Sequence, residues 1–131
     1  MVIPAFSLER TQTILYELNE MVEGGEIPAI PVFLDSPLGI EITDVYARVK
    51  EHYNEAVKGD IMGGDQIFHF PKLKVTPQRQ DSGAIDKVHN PKVIIAGSGM
   101  SSGGRVLGHE AKYLPDPKNI VLLLGYQALG T

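Results

Sequence analysis

Two short apolar runs, Lys92 to Ala96 and Ile120 to Leu124, show no alternation of polar and apolar residues. A strand with one wet face alternates, so a strand without alternation must be covered on both faces. Longer segments with helical spacing separate such runs. Ile14, Leu15, Leu18, Met21 and Val22 share one helical face, as do Ile42, Val45, Tyr46, Val49 and Tyr53. Alternating strands and helices with two-faced strands predict an α/β fold. It has three layers, α/β/α, around a mainly parallel sheet of about four or more strands. At 131 residues the chain is long enough for one domain with one core, spanning residues 1–131.

The expected strands are Val2–Phe6, Ile30–Leu34, Lys92–Ala96 and Ile120–Leu124. One helix is expected from Leu8 to about Val22, capped by Ser7 and ended by Gly24-Gly25. Another follows Asp35-Ser36-Pro37 and runs to about Tyr53, with proline at its first position. A third spans about Arg105 to Leu114, before Pro115 and Pro117. Residues 54–90 are punctuated by glycine and proline, with short extended pieces at Ile67–Phe70 and Leu73–Thr76 and a short helix from Asp81 to Val88. In a parallel sheet, the loops after the strands gather on one edge, where ligands bind. That edge collects residues 6–10, residues 35–37, the Gly97–Arg105 loop and Gly125–Thr131.

The strongest local feature is Gly97-Ser98-Gly99-Met100-Ser101-Ser102-Gly103-Gly104-Arg105. Glycines let backbone approach a ligand, a helix N-terminus offers unpaired N–H groups, and Arg105 supplies a guanidinium for phosphate. The bland reading is a turn of small residues. The dinucleotide fingerprint is disfavoured because Gly103 comes one residue late after Gly97 and Gly99, and the P-loop is disfavoured because no Gly-Lys-Ser/Thr exists. A G-x-S-x-G nucleophile motif is also absent. Asp35 is a carboxylate at the functional edge or, more ordinarily, a helix N-cap. Arg10 is poorly placed for the helix dipole, which points to an outside partner or to plain solvation.

His52, His69, His89 and His109 make no local metal motif, and His52 and His109 are expected on helix surfaces. The tyrosines fall mostly at core spacing and make no RNA-stacking pattern. Lys72, Lys74, Arg79, Lys87 and Lys92 read as a solvated basic stretch or, less ordinarily, as a phosphate-steering rim. Net charge is −4, which argues against tight autonomous nucleic-acid binding. There is no cysteine, which suits the cytoplasm, and no apolar run approaches the roughly 20 residues that span a bilayer.

Taken in order, several segments resemble the β-CASP domain. Val93-Ile94-Ile95-Ala96-Gly97-Ser98-Gly99-Met100 with Gly103-Gly104-Arg105 is similar to the "IIAxSGMxxGGR" signature. Gly125 to Thr131 resembles "GYQAxGT". Pro4-Ala5-Phe6 with Arg10 and Gln12 is similar to "PxFxxxRxQ", Asp35-Ser36-Pro37-Leu38 to "DSPL/M", and Phe70 to Lys74 to "FPNLK". The resemblance implies a Rossmann-like domain, inserted into a metallo-β-lactamase domain and capping its cleft. Most such enzymes are zinc-dependent nucleases, and these forms look most like the RNA-processing branch of bacteria and archaea. The family's H-x-H-x-D-H metal ligands and its later histidines have no counterpart here. No catalytic or metal residue therefore carries over, and zinc belongs to the parent enzyme. The positions that do carry over are those of a substrate or phosphate groove: Arg10, Asp35, Ser36, Ser98, Gly99, Met100, Gly103, Gly104, Arg105, Gln127 and Thr131. The implied partners are the metallo-β-lactamase domain in cis and single-stranded RNA or other nucleic acid at the interdomain cleft, with no membrane. Self-association of the parent is left open. Because Thr131 ends inside a motif, the expectation is an excised piece, inactive alone. The alternative is a stand-alone nucleotide- or anion-binding module using the Gly97–Arg105 loop. A third reading is a structural domain whose exposed sheet edge pairs with another subunit.

Overall fold

The computed structural model describes all residues, 1–131. The elements run β1 (Val2–Pro4), α1 (Arg10–Glu23), β2 (Val32–Asp35), α2 (Pro37–Arg48), α3 (Glu55–Met62), β3 (Leu73–Val75), α4 (Arg79–Ala84), β4 (Val93–Ala96) and α5 (Val106–Tyr113). Four strands form one all-parallel sheet in the order β1-β4-β2-β3. Alternate residues of β4 supply two cores. Val93 and Ile95 join Ile3, Ile14, Leu15, Val32, Leu34 and Phe70 on one face. Ile94 and Ala96 join Val2, Phe33, Ile85 and Val106 on the other. The missing polar alternation thus has its cause: helices cover the sheet on both sides, giving three layers.

The layers also position the site. From β1 and β2 the chain turns to the first face, where Ile14 and Leu15 of α1 and Ile40 of α2 pack. From β4 it turns to the opposite face, where Val106 of α5 packs. Loops leaving adjacent strands in opposite directions open a crevice at the strands' carboxyl ends. The segments after β1, β2 and β4 meet there.

Four local expectations need correction. Ile120–Leu124 is not a strand but a single parallel bridge, Val121 to Val2. The Val2 N–H donates to the Ile120 carbonyl (2.8 Å) and the Leu122 N–H to the Val2 carbonyl (2.9 Å). The next rung on that side of β1 needs the amide of Pro4, and proline has none. Ser7 does not cap α1. The helix starts at Arg10 after Glu9 at φ 68°, and the preceding turn is closed by Thr11, whose hydroxyl donates to the Phe6 carbonyl at 2.7 Å. Helix α2 stops at Arg48, and Asn54 caps a new helix by accepting from the Val57 N–H at 3.0 Å. The break lets Tyr46 and Tyr53 both close on Phe68, at ring distances of 6.4 and 6.5 Å. Lys92 is not a solvated cation. It is buried, and its ammonium donates to the carbonyls of Ile85 (3.0 Å) and Val88 (2.7 Å). Burial pulls its pKa down. No helix is long and apolar enough to cross a membrane.

Candidate nucleic-acid interface

The loop after β4 is folded back on itself. The Ser98 N–H donates to the Gly103 carbonyl (3.0 Å), Ser101 N–H to the Ser98 carbonyl (3.2 Å) and Val106 N–H to the Gly97 carbonyl (2.9 Å). The Ser102 N–H donates to Ser98 Oγ at 3.3 Å. Two of its glycines are obligatory. Gly104 lies at φ 75°, and a Cβ there would run into the Gly97 carbonyl. A Cβ on Gly99 would sit 2.6 Å from the Phe6 ring and 2.7 Å from its nitrogen. Gly103 is different, with nothing within 4 Å of its missing Cβ. Helix α5 anchors the loop from below, because the Ser101 hydroxyl donates to Glu110 at 2.6 Å. The segment at 125–131 anchors it from above, because Gln127 Nε2 donates to the Gly99 carbonyl at 2.9 Å. The N–H groups of Gly99, Met100, Gly103, Gly104 and Arg105 find no acceptor in the chain. Unpaired amides clustered in one loop beside a helix start attract anions.

Beneath the loop lies a buried carboxylate. Asp35 has no exposed surface. Its Oδ1 accepts from Thr76 Oγ1 (2.7 Å) and Arg105 Nη1 (2.7 Å), and its Oδ2 accepts from Ser82 Oγ (2.5 Å). His109 Nε2 lies 2.7 Å from the same Oδ2. A carboxylate only accepts, so this nitrogen carries a hydrogen. The guanidinium also donates to the carbonyls of Thr76 (2.6 Å) and Pro77 (2.9 Å). One buried charge therefore ties the ends of β2 and β3 to α4 and α5.

Burial alone would push the Asp35 pKa up. Hydrogen bonds from His109, Ser82, Thr76 and Arg105 outweigh it and hold the carboxyl well below its ordinary range. A group more acidic folded than unfolded stabilises fully above its unfolded pKa, near 4, and loses that contribution as pH falls through the folded value. Urea midpoints should therefore carry a steep decline below about pH 4 that Asp35→Asn flattens. An unchanged acid limb in that variant would count against the hub.

Residues 11–131 match the Beta-Casp domain family. The chain belongs to that family. Among similar proteins are Ribonuclease TTHA0252 of Thermus thermophilus, 37% identical over 98% of this chain, and an RNase J-like protein of Methanocaldococcus jannaschii, 35% identical over 99%. A third is the transcription termination factor FttA of Methanosarcina mazei, 34% identical over 99%. The chain covers 29%, 29% and 20% of those proteins respectively, so it spans less than a third of the relatives it matches.

In this Beta-Casp domain the expected groove residues do not all come together. Ser98, Gly99, Met100, Gly103, Gly104 and Gln127 do meet in one loop cluster. Asp35 and Arg105 lie beneath it, joined to each other, so the carboxylate presents no surface to a ligand and the guanidinium is committed inward. Asp35 is not the N-cap of α2 either. Ser36 is, its Oγ accepting from the Gly39 N–H at 3.1 Å, and it is buried in that role. Arg10 is exposed and without a partner in the chain, and the exposed Thr131 closes only a local turn onto the Ala128 carbonyl.

His109 contradicts the expectation of a helix-surface histidine: it is buried against Asp35. Thr76, Ser82 and His109 had no local signal, since each reaches Asp35 across 41, 47 and 74 residues of sequence. The tyrosines fall mostly at core spacing, and Tyr126 is the exception at 79% exposed.

Proposed function

We propose that this Beta-Casp domain caps the cleft of a larger zinc-dependent nuclease acting on RNA, and that it does not cut RNA by itself. The observation carrying this reading is the set of five unaccepted amides, those of Gly99, Met100, Gly103, Gly104 and Arg105. It lies at the sheet edge where a parallel α/β fold binds ligands. Backbone amides hold phosphate without reading base identity, which suits a domain that positions a strand. The names of the relatives, a ribonuclease and an RNase J-like protein, support RNA as the substrate class.

The residues present do not fit a zinc ion. No three of the histidine, aspartate and glutamate side chains gather as a metal cage. The one buried histidine, His109, faces a carboxylate already held by Arg105, Thr76 and Ser82. The domain's own contribution is therefore binding and orientation. A stand-alone nucleotide module has less support, because the guanidinium it relied on is engaged by Asp35, Thr76 and Pro77.

The purified chain, given zinc and a labelled single-stranded RNA, should show salt-sensitive binding and no cleavage on a denaturing gel. Zinc-dependent products from homogeneous material would overturn this assignment.

A further inference from the structure

Ser7 lies shortly after β1, half-buried, where the chain enters the crevice. Its hydroxyl faces the start of the glycine loop: a Cβ on Gly97 would sit 3.9 Å from Ser7 Oγ and 3.5 Å from Ser36 Oγ. The backbone just before it touches Gly99, whose missing Cβ lies 2.7 Å from the Phe6 nitrogen. The buried Gln12 of α1 holds this turn, donating from Nε2 to the Ser7 carbonyl (3.1 Å) and to Thr43 Oγ1 (2.8 Å). Ser7 does not cap α1, and its hydroxyl has one neighbour in the chain, Ser36 Oγ at 3.3 Å. Counting hydrogens sets the direction of that bond. Ser36 is buried, and its Oγ already accepts from the Gly39 N–H. The hydrogen on Ser36 has a single acceptor in reach, which is Ser7 Oγ. Buried hydroxyls use such an acceptor, so Ser36 donates and Ser7 accepts. The Ser7 hydrogen then has no acceptor within the chain and is free to turn into the crevice.

We infer that the Ser7 hydroxyl donates to a phosphate oxygen of the bound strand, adding a side-chain donor to the amides of the Gly97–Arg105 loop. The inference rests on the proposed RNA-capping function and names a residue that holds the strand. Phosphate oxygens only accept, and Ser7 offers a hydrogen while its own oxygen is occupied by Ser36. A hydroxyl that accepts one hydrogen bond is polarised to donate the next more strongly. The donor is neutral, as the amides are. A chain of net charge −4 can therefore receive a phosphate here with no cation at the contact. Arg105, the one cation of the loop, is turned away into Asp35.

The test uses the whole chain, a short fluorescein-labelled single-stranded RNA and the DNA strand of the same sequence, read by anisotropy across a salt series. Ser7→Ala should weaken binding of both strands by the same factor, roughly tenfold, because both carry the phosphate. The slope of affinity against salt should stay as in wild type, since a neutral donor displaces no counterion. Ser7→Asp sets a carboxylate where the hydroxyl was and should abolish binding of both strands. Ser7 is half-buried and both variants keep its Cβ, so the fold is expected to hold, with far-UV circular dichroism as the check. Ser7→Ala binding like wild type, or Ser7→Asp still binding, would overturn the inference and leave the capping function standing. So would a loss confined to RNA, which would assign the hydroxyl to the ribose 2′-OH instead. A wild type that binds neither strand would sink the capping function itself.

Discussion

Asp35→Ala is expected to lower the unfolding free energy by about 3–5 kcal/mol, the usual cost of removing one partner from a buried charge pair. The deletion does more than erase one bond. It strands the Arg105 guanidinium, the His109 ring and the Thr76 and Ser82 hydroxyls, all aimed at a site with no acceptor left. Arg105 is 21% exposed and regains some water, which tempers the loss. A domain of this kind has only about 5–15 kcal/mol in hand, so the variant sits near the unfolding threshold at 37 °C. Asp35→Asn keeps an acceptor but no charge and should fall between wild type and Asp35→Ala. The pair Asp35→Ala and Arg105→Ala should be clearly non-additive in a double-mutant cycle, because the second deletion removes a group already without its partner. Urea denaturation measures all of these. A loss below about 1 kcal/mol for Asp35→Ala would mean the hub is not what joins β2, β3, α4 and α5.

Gly104→Ala is expected to cost about 2–4 kcal/mol, and Gly103→Ala less than about 0.5 kcal/mol. The two glycines are neighbours in sequence but not in physics. Gly104 combines a left-handed φ of 75° with a Cβ position occupied by the Gly97 carbonyl, which is backbone and cannot swing aside. Gly103 has ordinary φ and open space around its missing Cβ. The fold does not require glycine at 103, so any loss of RNA affinity in Gly103→Ala at unchanged stability would report close approach of the ligand. Thermal unfolding of the two variants side by side decides the point. Equal destabilisation would contradict the loop geometry.

Much of the fold was legible because it follows from patterns within a few residues. Unalternated Val93–Ala96 announced a strand covered on two faces, and α1 and α2 followed from apolar spacing. Where the reading failed, the deciding contact was distant. Ile120–Leu124 has the composition of a strand, yet its ladder ends where Pro4 lacks an amide, and Pro4 stands more than a hundred residues away. The helix after Pro37 stops at Arg48, and the break lets Tyr46 and Tyr53 close on Phe68, which arrives from a segment with no clear pattern. The helix start at Pro37 was legible, but the cap expected of Asp35 fell to Ser36 beside it.

By itself the sequence determined the layers and the place of the glycine loop, since hydrophobic periodicity and backbone permissiveness are local properties. Only the tertiary structure decided what each polar side chain does. It turned Arg105 inward and buried His109. A buried charge takes whichever donors the packed layers deliver, and here they come from 41 to 74 residues along the chain.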